Sequence, residues 1–178
     1  MKSIIVARCC FVVISFFIVS LLIDGAIVKA EVLPQPKGEV ILDVGGEIVV
    51  GNSPSGRARF DLAMLQRYRI NSFVTHTPWS DSSYRFKGVS LAEILSELGV
   101  RDDAKLRVMA LDGYEALVPM KDILPFDPIL AFSRNNVPLT RRDRGPLWLV
   151  YNRDKLEETK DPRFDSYWVW QIYKMDVE

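Results

Sequence analysis

The chain has 178 residues, 48% of them hydrophobic and 26% charged, and 23 lysines and arginines balance 23 aspartates and glutamates. That length suits one domain, the hydrophobic share excludes a disordered chain, and charge neutrality argues against a nucleic-acid-binding surface. Gly 10 and Pro 10 exclude collagen-like or low-complexity architectures, and the two cysteines, Cys9 and Cys10, are adjacent.

Lys2 and Arg8 precede an apolar run from Cys9 to Ile23 broken only by two serines. Asp24 ends the run, and Val28-Lys29-Ala30 offers small or modest residues to a peptidase. A basic start, an apolar stretch and a small-residue exit describe a signal peptide cleaved near Ala30. A retained N-terminal anchor is the alternative, because counting Ile4 to Val6 brings the stretch near the roughly 20 residues a span needs. No cysteine follows the apolar run to accept a lipid, which argues against a lipoprotein. Removing residues 1–30 leaves 148 residues with a net charge of −2 and no cysteine. Such a chain is expected in the periplasm or outside the cell, without a disulfide or a thiolate nucleophile.

Residues 31–38 read as an extended leader carrying Pro34 and Pro36, followed by a single domain over 39–178. Glu39–Val44 and Glu47–Gly51 flank Gly45-Gly46 and suggest a hairpin, with a looser turn as the other option. Asn52–Arg59 has turn chemistry. Asp61 is placed to cap a short helix through Arg67, with Leu62, Leu65 and Ala63 as inward candidates. Ile70–His76 reads as a strand. Ser90-Leu91-Ala92-Glu93 has the spacing of a capping box, Leu91, Ile94, Leu95 and Leu98 recur at helical spacing, and Gly99 suits the C-terminal end. Lys105–Leu111 and Tyr114–Val118 flank Asp112-Gly113, a hairpin signal. Pro119–Leu124 reads as a short helix, and Pro128–Ser133, Pro146–Tyr151 and Tyr167–Asp176 as strands. The pattern predicts an α+β domain of mostly antiparallel strands with short helices.

Chemistry-bearing residues are few. His76 is the only histidine, so no multi-histidine metal site can form, and a half-exposed strand position accounts for it more simply than a pocket role. Strand alternation puts Val74 and His76 on one face and Phe73, Thr75 and Thr77 on the other. Thr75-His76-Thr77-Pro78-Trp79-Ser80-Asp81 is dense in hydrogen-bonding groups at a strand end, which suits a ligand site as well as a rigid turn. Ser80 lacks the setting of a catalytic triad. Arg141-Arg142-Asp143-Arg144 beside Gly145 can grip a phosphate or carboxylate, or form a solvated turn. Asp112 could be a carboxylate in a site, but its place in the Asp-Gly turn explains it more simply. Trp148, Trp168 and Trp170 read as core, though alternation also lets Trp168 and Trp170 wall one cleft.

Several segments then fall into one order: Phe73–Trp79, Phe86-Lys87-Gly88-Val89-Ser90-Leu91, Leu111–Pro119, Leu130-Ala131-Phe132, Val137-Pro138-Leu139, Arg144–Val150 and Trp170-Gln171-Ile172. This ordered set resembles the oxidoreductase molybdopterin-binding domain, the sulfite-oxidase-type fold, and more closely its short exported bacterial members, over roughly residues 39–177. The resemblance implies a coiled, largely antiparallel sheet with short helices packed around it. It also implies, in catalytic members, a molybdenum–pterin cofactor held by a cysteine thiolate on the strand before the FxGVxL helix. The corresponding stretch here, Thr75–Trp79, has no cysteine, and threonine is no substitute as a soft ligand. The family's enzymes carry a histidine before the glycine of the GxPxR segment and an arginine after it, where this chain has Arg144 and Trp148. Their lysine before the last tryptophan corresponds to Val169.

The expectation is therefore an exported, non-catalytic relative with no cofactor. Its pocket would be built by Thr75, Thr77, Trp79, Tyr114 and Arg144 and would serve a small ligand or a periplasmic or membrane sensor protein. The alternative is a molybdopterin-dependent oxidoreductase acting with a partner subunit.

Overall fold

The computed structural model describes residues 33–155, 157 and 161–178; the expected signal segment 1–30, with Cys9 and Cys10, lies outside them. In chain order the first half contains β1 (Val40–Gly46), β2 (Ala58–Asp61), α1 (Leu62–Leu65), β3 (Ile70–Thr77), β4 (Ser80–Ser90) and α2 (Leu91–Glu97). The second half contains β5 (Lys105–Ala110), β6 (Glu115–Pro119), α3 (Met120–Ile123), β7 (Ile129–Arg134), β8 (Val137–Pro138), β9 (Trp148–Val150) and β10 (Ile172–Val177). A 3-10 turn over Leu124–Phe126 follows α3, and a 3-10 helix over Pro162–Tyr167 lies between β9 and β10.

Two sheets result. One has the order β2-β1-β10-β5-β6, in which β1 and β10 are parallel and the other pairs antiparallel. Its apolar residues alternate inward (Leu42 and Val44, Leu106 and Val108, Met175 and Val177), while Asp43, Arg107, Lys174 and Asp176 point outward. The other has the order β3-β4-β7-β8, with β9 also paired to β7. Their buried faces share one apolar cluster with α2 and α3. An aromatic group occupies part of it: Phe86 meets Trp148 edge-on at 5.2 Å, and Tyr151 meets Trp168 at 5.1 Å.

The expected leader is tied down where it is described. Leu33 is buried, the Asn52 side-chain amide donates to Pro34 O at 2.7 Å, and the Lys37 and Gly38 amides donate to Asp61 Oδ2 at 2.7 and 2.8 Å. Asp61 also caps α1, accepting from Met64 N at 2.8 Å.

Four local expectations change. Residues 47–51 do not return as a strand beside β1: Gly46, at φ +81°, turns the chain away, and β1 pairs with β2 instead. Met64 and Leu65 are the inward residues of α1, while Leu62 and Ala63 are exposed, because the helix is a single turn. The capping box is not formed. Ser90 is the last residue of β4, and Glu93 is drawn to Arg69, accepting from its backbone N–H at 2.8 Å and pairing with its guanidinium at 3.2 Å. Finally, the stretch expected as one strand from Tyr167 becomes strand only at Ile172, because Asp161-Pro162 starts the 3-10 helix, where Asp161 accepts from Arg163 N. Gly99, at φ +72°, ends α2 as expected.

Candidate functional site

A cavity of about 300 Å³ opens where the ends of both sheets meet the 3-10 helix. Trp79, Tyr114, Trp168 and Trp170 form its walls, and Asp112, Asp165 and Ser166 supply its polar atoms. They arrive from three connections. Trp79 sits in the tight turn between β3 and β4, where Thr77 pairs with Ser80. Asp112 and Tyr114 lie in the turn joining β5 to β6, closed by Ala110 N donating to Tyr114 O at 2.9 Å. Asp165 and Ser166 belong to the 3-10 helix, and Trp168 and Trp170 follow it before β10. Binding residues on loops held by a rigid scaffold are the usual arrangement.

The rings are tied to the core. Trp79 packs edge-on against Trp170 with centroids 4.9 Å apart, Trp170 meets Trp148 at 6.1 Å, and Trp148 meets Phe86. Trp79 is half exposed at the rim, Tyr114 nearly so, and Trp168 is buried at the floor. The Tyr114 hydroxyl donates to Ser166 O at 3.0 Å, which closes the wall between the β5–β6 turn and the 3-10 helix. The Ser166 hydroxyl donates to Arg163 O at 2.9 Å. Asp165 pairs with Arg153. Asp112 Oδ1 accepts from Tyr114 N at 3.0 Å and its side chain is exposed.

Of the residues singled out from the sequence, Trp79 and Tyr114 line this cavity, while Thr75, Thr77 and Arg144 are not in its wall. Thr75 is fully buried in β3; its hydroxyl donates to His76 O at 3.3 Å and accepts from Asp154 N at 3.2 Å. Thr77 is buried, and its hydroxyl oxygen has no hydrogen-bond partner among the described residues. Arg144 lies behind Trp170, its guanidinium 5.0 Å from the Trp170 ring centroid and 4.9 Å from that of Trp148. Arg141, which pairs with Glu39, and Asp143, which pairs with Arg134, face solvent, so the basic run divides into an outer turn and one inward cation. His76 is half exposed, and its Nδ1 lies 2.8 Å from Asp154 Oδ2, which also accepts the His76 backbone N–H at 2.9 Å.

Sequence reasoning did not place Asp165, Ser166 or Gln171 at this site. Gln171 ties the β5–β6 turn to the Arg141–Arg144 turn behind the cavity: its N–H donates to Arg144 O at 3.1 Å, its carbonyl accepts from Leu111 N at 3.0 Å, and its side-chain amide donates to Arg141 O at 2.6 Å. The readable signal for the first two was Asp161-Pro162, a helix start placed before them.

A sequence profile for the oxidoreductase molybdopterin binding domain matches residues 57–153. Among solved structures, the chain is similar to the sulfane dehydrogenase SoxCD from Paracoccus pantotrophus, with a TM-score of 0.55 at 18% identity. That match covers 76% of this chain and 37% of the other, so the chain spans little more than a third of its length, and the likeness is one of fold. A search of curated proteins gives no match. Among the described residues, no helix is long and apolar enough to cross a membrane, and no cluster of three histidine, cysteine, aspartate or glutamate side chains is placed to hold a metal. The lining does not fit a thiolate-bound molybdenum–pterin: none of its residues is a cysteine, and its side-chain hydroxyl donors are spent inside the protein rather than aimed at an anionic phosphate.

Proposed function

The chain belongs to the oxidoreductase molybdopterin-binding domain family, and we propose that it uses this fold as a binding module without molybdenum redox chemistry. The cavity walled by Trp79, Tyr114, Trp168 and Trp170 takes a small ligand. The observation that carries the reading is a thiolate-free, mostly aromatic cavity formed by the converging turns of the two sheets. Its volume, about 300 Å³, is at the lower end for small-molecule sites. The role that fits such a module is sensory or accessory, outside the cytoplasm, with a periplasmic or membrane sensor protein as the receiving partner. The basic start and apolar run of residues 2–23 support the export step. The expected pocket residues Thr75, Thr77 and Arg144 act in this reading from behind the wall: Arg144 by stacking on Trp170, and the threonines by shaping the end of β3 that carries Trp79.

The test is a small-molecule fragment screen on the protein, read by NMR at the tryptophan indole N–H resonances. Hits are expected to shift Trp79, Trp168 and Trp170 together and to lose their effect in Trp79→Ala. Hits that leave these three resonances in place, or that bind Trp79→Ala unchanged, would overturn the reading.

A further inference from the structure

We infer that the cavity selects an organic cation of the methylated or quaternary ammonium class. The inference rests on the proposed binding role of the cavity and names its ligand chemistry. It follows from what the lining offers and what it withholds.

The walls are four aromatic rings, whose faces carry partial negative charge and attract a cation within about 6 Å of the ring centroid. The side-chain oxygens between them come from Asp112, Asp165 and Ser166. Asp112 and Asp165 bring carboxylates, and Asp112 has no basic partner among the described residues. The hydroxyls that would serve a sugar or an anion are already donating: Tyr114 to Ser166 O and Ser166 to Arg163 O. A polyhydroxylated ligand would find no free hydroxyl and one buried unpartnered donor among the described residues, the Trp168 indole N–H, and an anion would meet the Asp112 carboxylate. An ammonium carrying methyl groups needs neither, because it buries apolar surface against the rings while its charge is met by their faces and by Asp112.

The chain already shows the same chemistry once. Arg144 is placed against the rings of Trp148 and Trp170, with no carboxylate in ion-pair range among the described residues. These indoles hold a cation by stacking alone. Arg144 itself is not in the cavity wall and Asp165 is paired with Arg153, so the charge left at the wall is that of Asp112.

The experiment compares choline with its neutral carbon isostere, 3,3-dimethylbutan-1-ol, by tryptophan fluorescence and by the indole N–H resonances. Choline is expected to bind about tenfold more tightly than the alcohol. Asp112→Asn, which keeps an acceptor for Tyr114 N, should weaken choline several-fold more than it weakens the alcohol. Trp79→Ala should weaken choline about tenfold, with partial recovery in Trp79→Phe. Equal binding of choline and the alcohol would overturn the cation inference while leaving the cavity as a binding site. Binding of neither would also overturn it, and the fragment screen then decides separately whether the cavity binds anything. A choline affinity untouched by Asp112→Asn and by Trp79→Ala would place the cation elsewhere and overturn it as well.

Discussion

Thr77 shows how a residue chosen for its chemistry can be held in place for a different reason. Its hydroxyl is buried on the inward face of β3 and has no partner among the described residues. An unpaired buried hydroxyl costs stability, so Thr77→Val should raise stability by about 1 kcal/mol, read as a higher denaturant midpoint with an unchanged slope. A fall in the midpoint would show that the hydroxyl is paired. The face assignment in this strand was legible beforehand, because period-two alternation separates Val74 and His76 from Thr75 and Thr77 in any half-buried strand. The meeting of Tyr114 with Ser166 was not, since 52 residues separate them and no local pattern reports a contact between two turns. Trp168 and Trp170 both line the cavity, but they follow a 3-10 helix rather than lying in a strand, so strand alternation is not what brings them together.

At the scale of elements, the FxGVxL segment is a packing constraint. A Cβ on Gly88 would stand 2.3 Å from Leu130 O and 2.6 Å from the Ala131 Cα, so β4 and β7 can pair here only because residue 88 has no side chain. Gly88→Ala should therefore destabilise the protein by about 2 kcal/mol or more, and a thermal midpoint equal to the parent would contradict the close approach. Asp61 joins the leader, β2 and α1 through three backbone N–H groups. Asp61→Ala should lower the thermal midpoint by about 5 °C. The cap was legible because Asp61 stands before an apolar turn. The capping-box spacing is not realised because Arg69, 24 residues from Glu93, claims that carboxylate, a contact no local spacing reports. The same limit hid the pairing of β1 with β2, which two glycines and a turn-rich stretch made look like a shorter hairpin.

For the whole molecule, the carboxylates that stitch distant segments together set the response to acid. Hydrogen bonds from the Met64 and Gly38 amides hold the Asp61 carboxyl below its ordinary value, against the opposing effect of burial. Burial raises the Asp176 carboxyl, but hydrogen bonds from Arg57 and Lys174 outweigh it and leave the value lowered. Arg57 reaches Asp176 at 2.6 Å and also pairs with Asp43, so it links β1 and β10 on the outer face. A carboxyl lowered in the folded state stabilises the protein above its unfolded value of about 4, and that contribution is lost as pH falls through the folded value. Stability to urea should therefore be flat from neutral pH down to about 5 and fall below about 4. Asp61→Asn should flatten that fall, and an unchanged acid slope in this variant would remove Asp61 from the explanation.

In the proposed function, the scaffold serves a binding role without the thiolate that the family resemblance assigns to molybdenum-binding members. Molybdenum and oxidised-pterin content settle it most directly, measured on folded protein purified from the compartment it reaches in cells that make the cofactor. Neither is expected above background, while the cavity still binds its ligand. One molybdenum and one pterin per chain would contradict it.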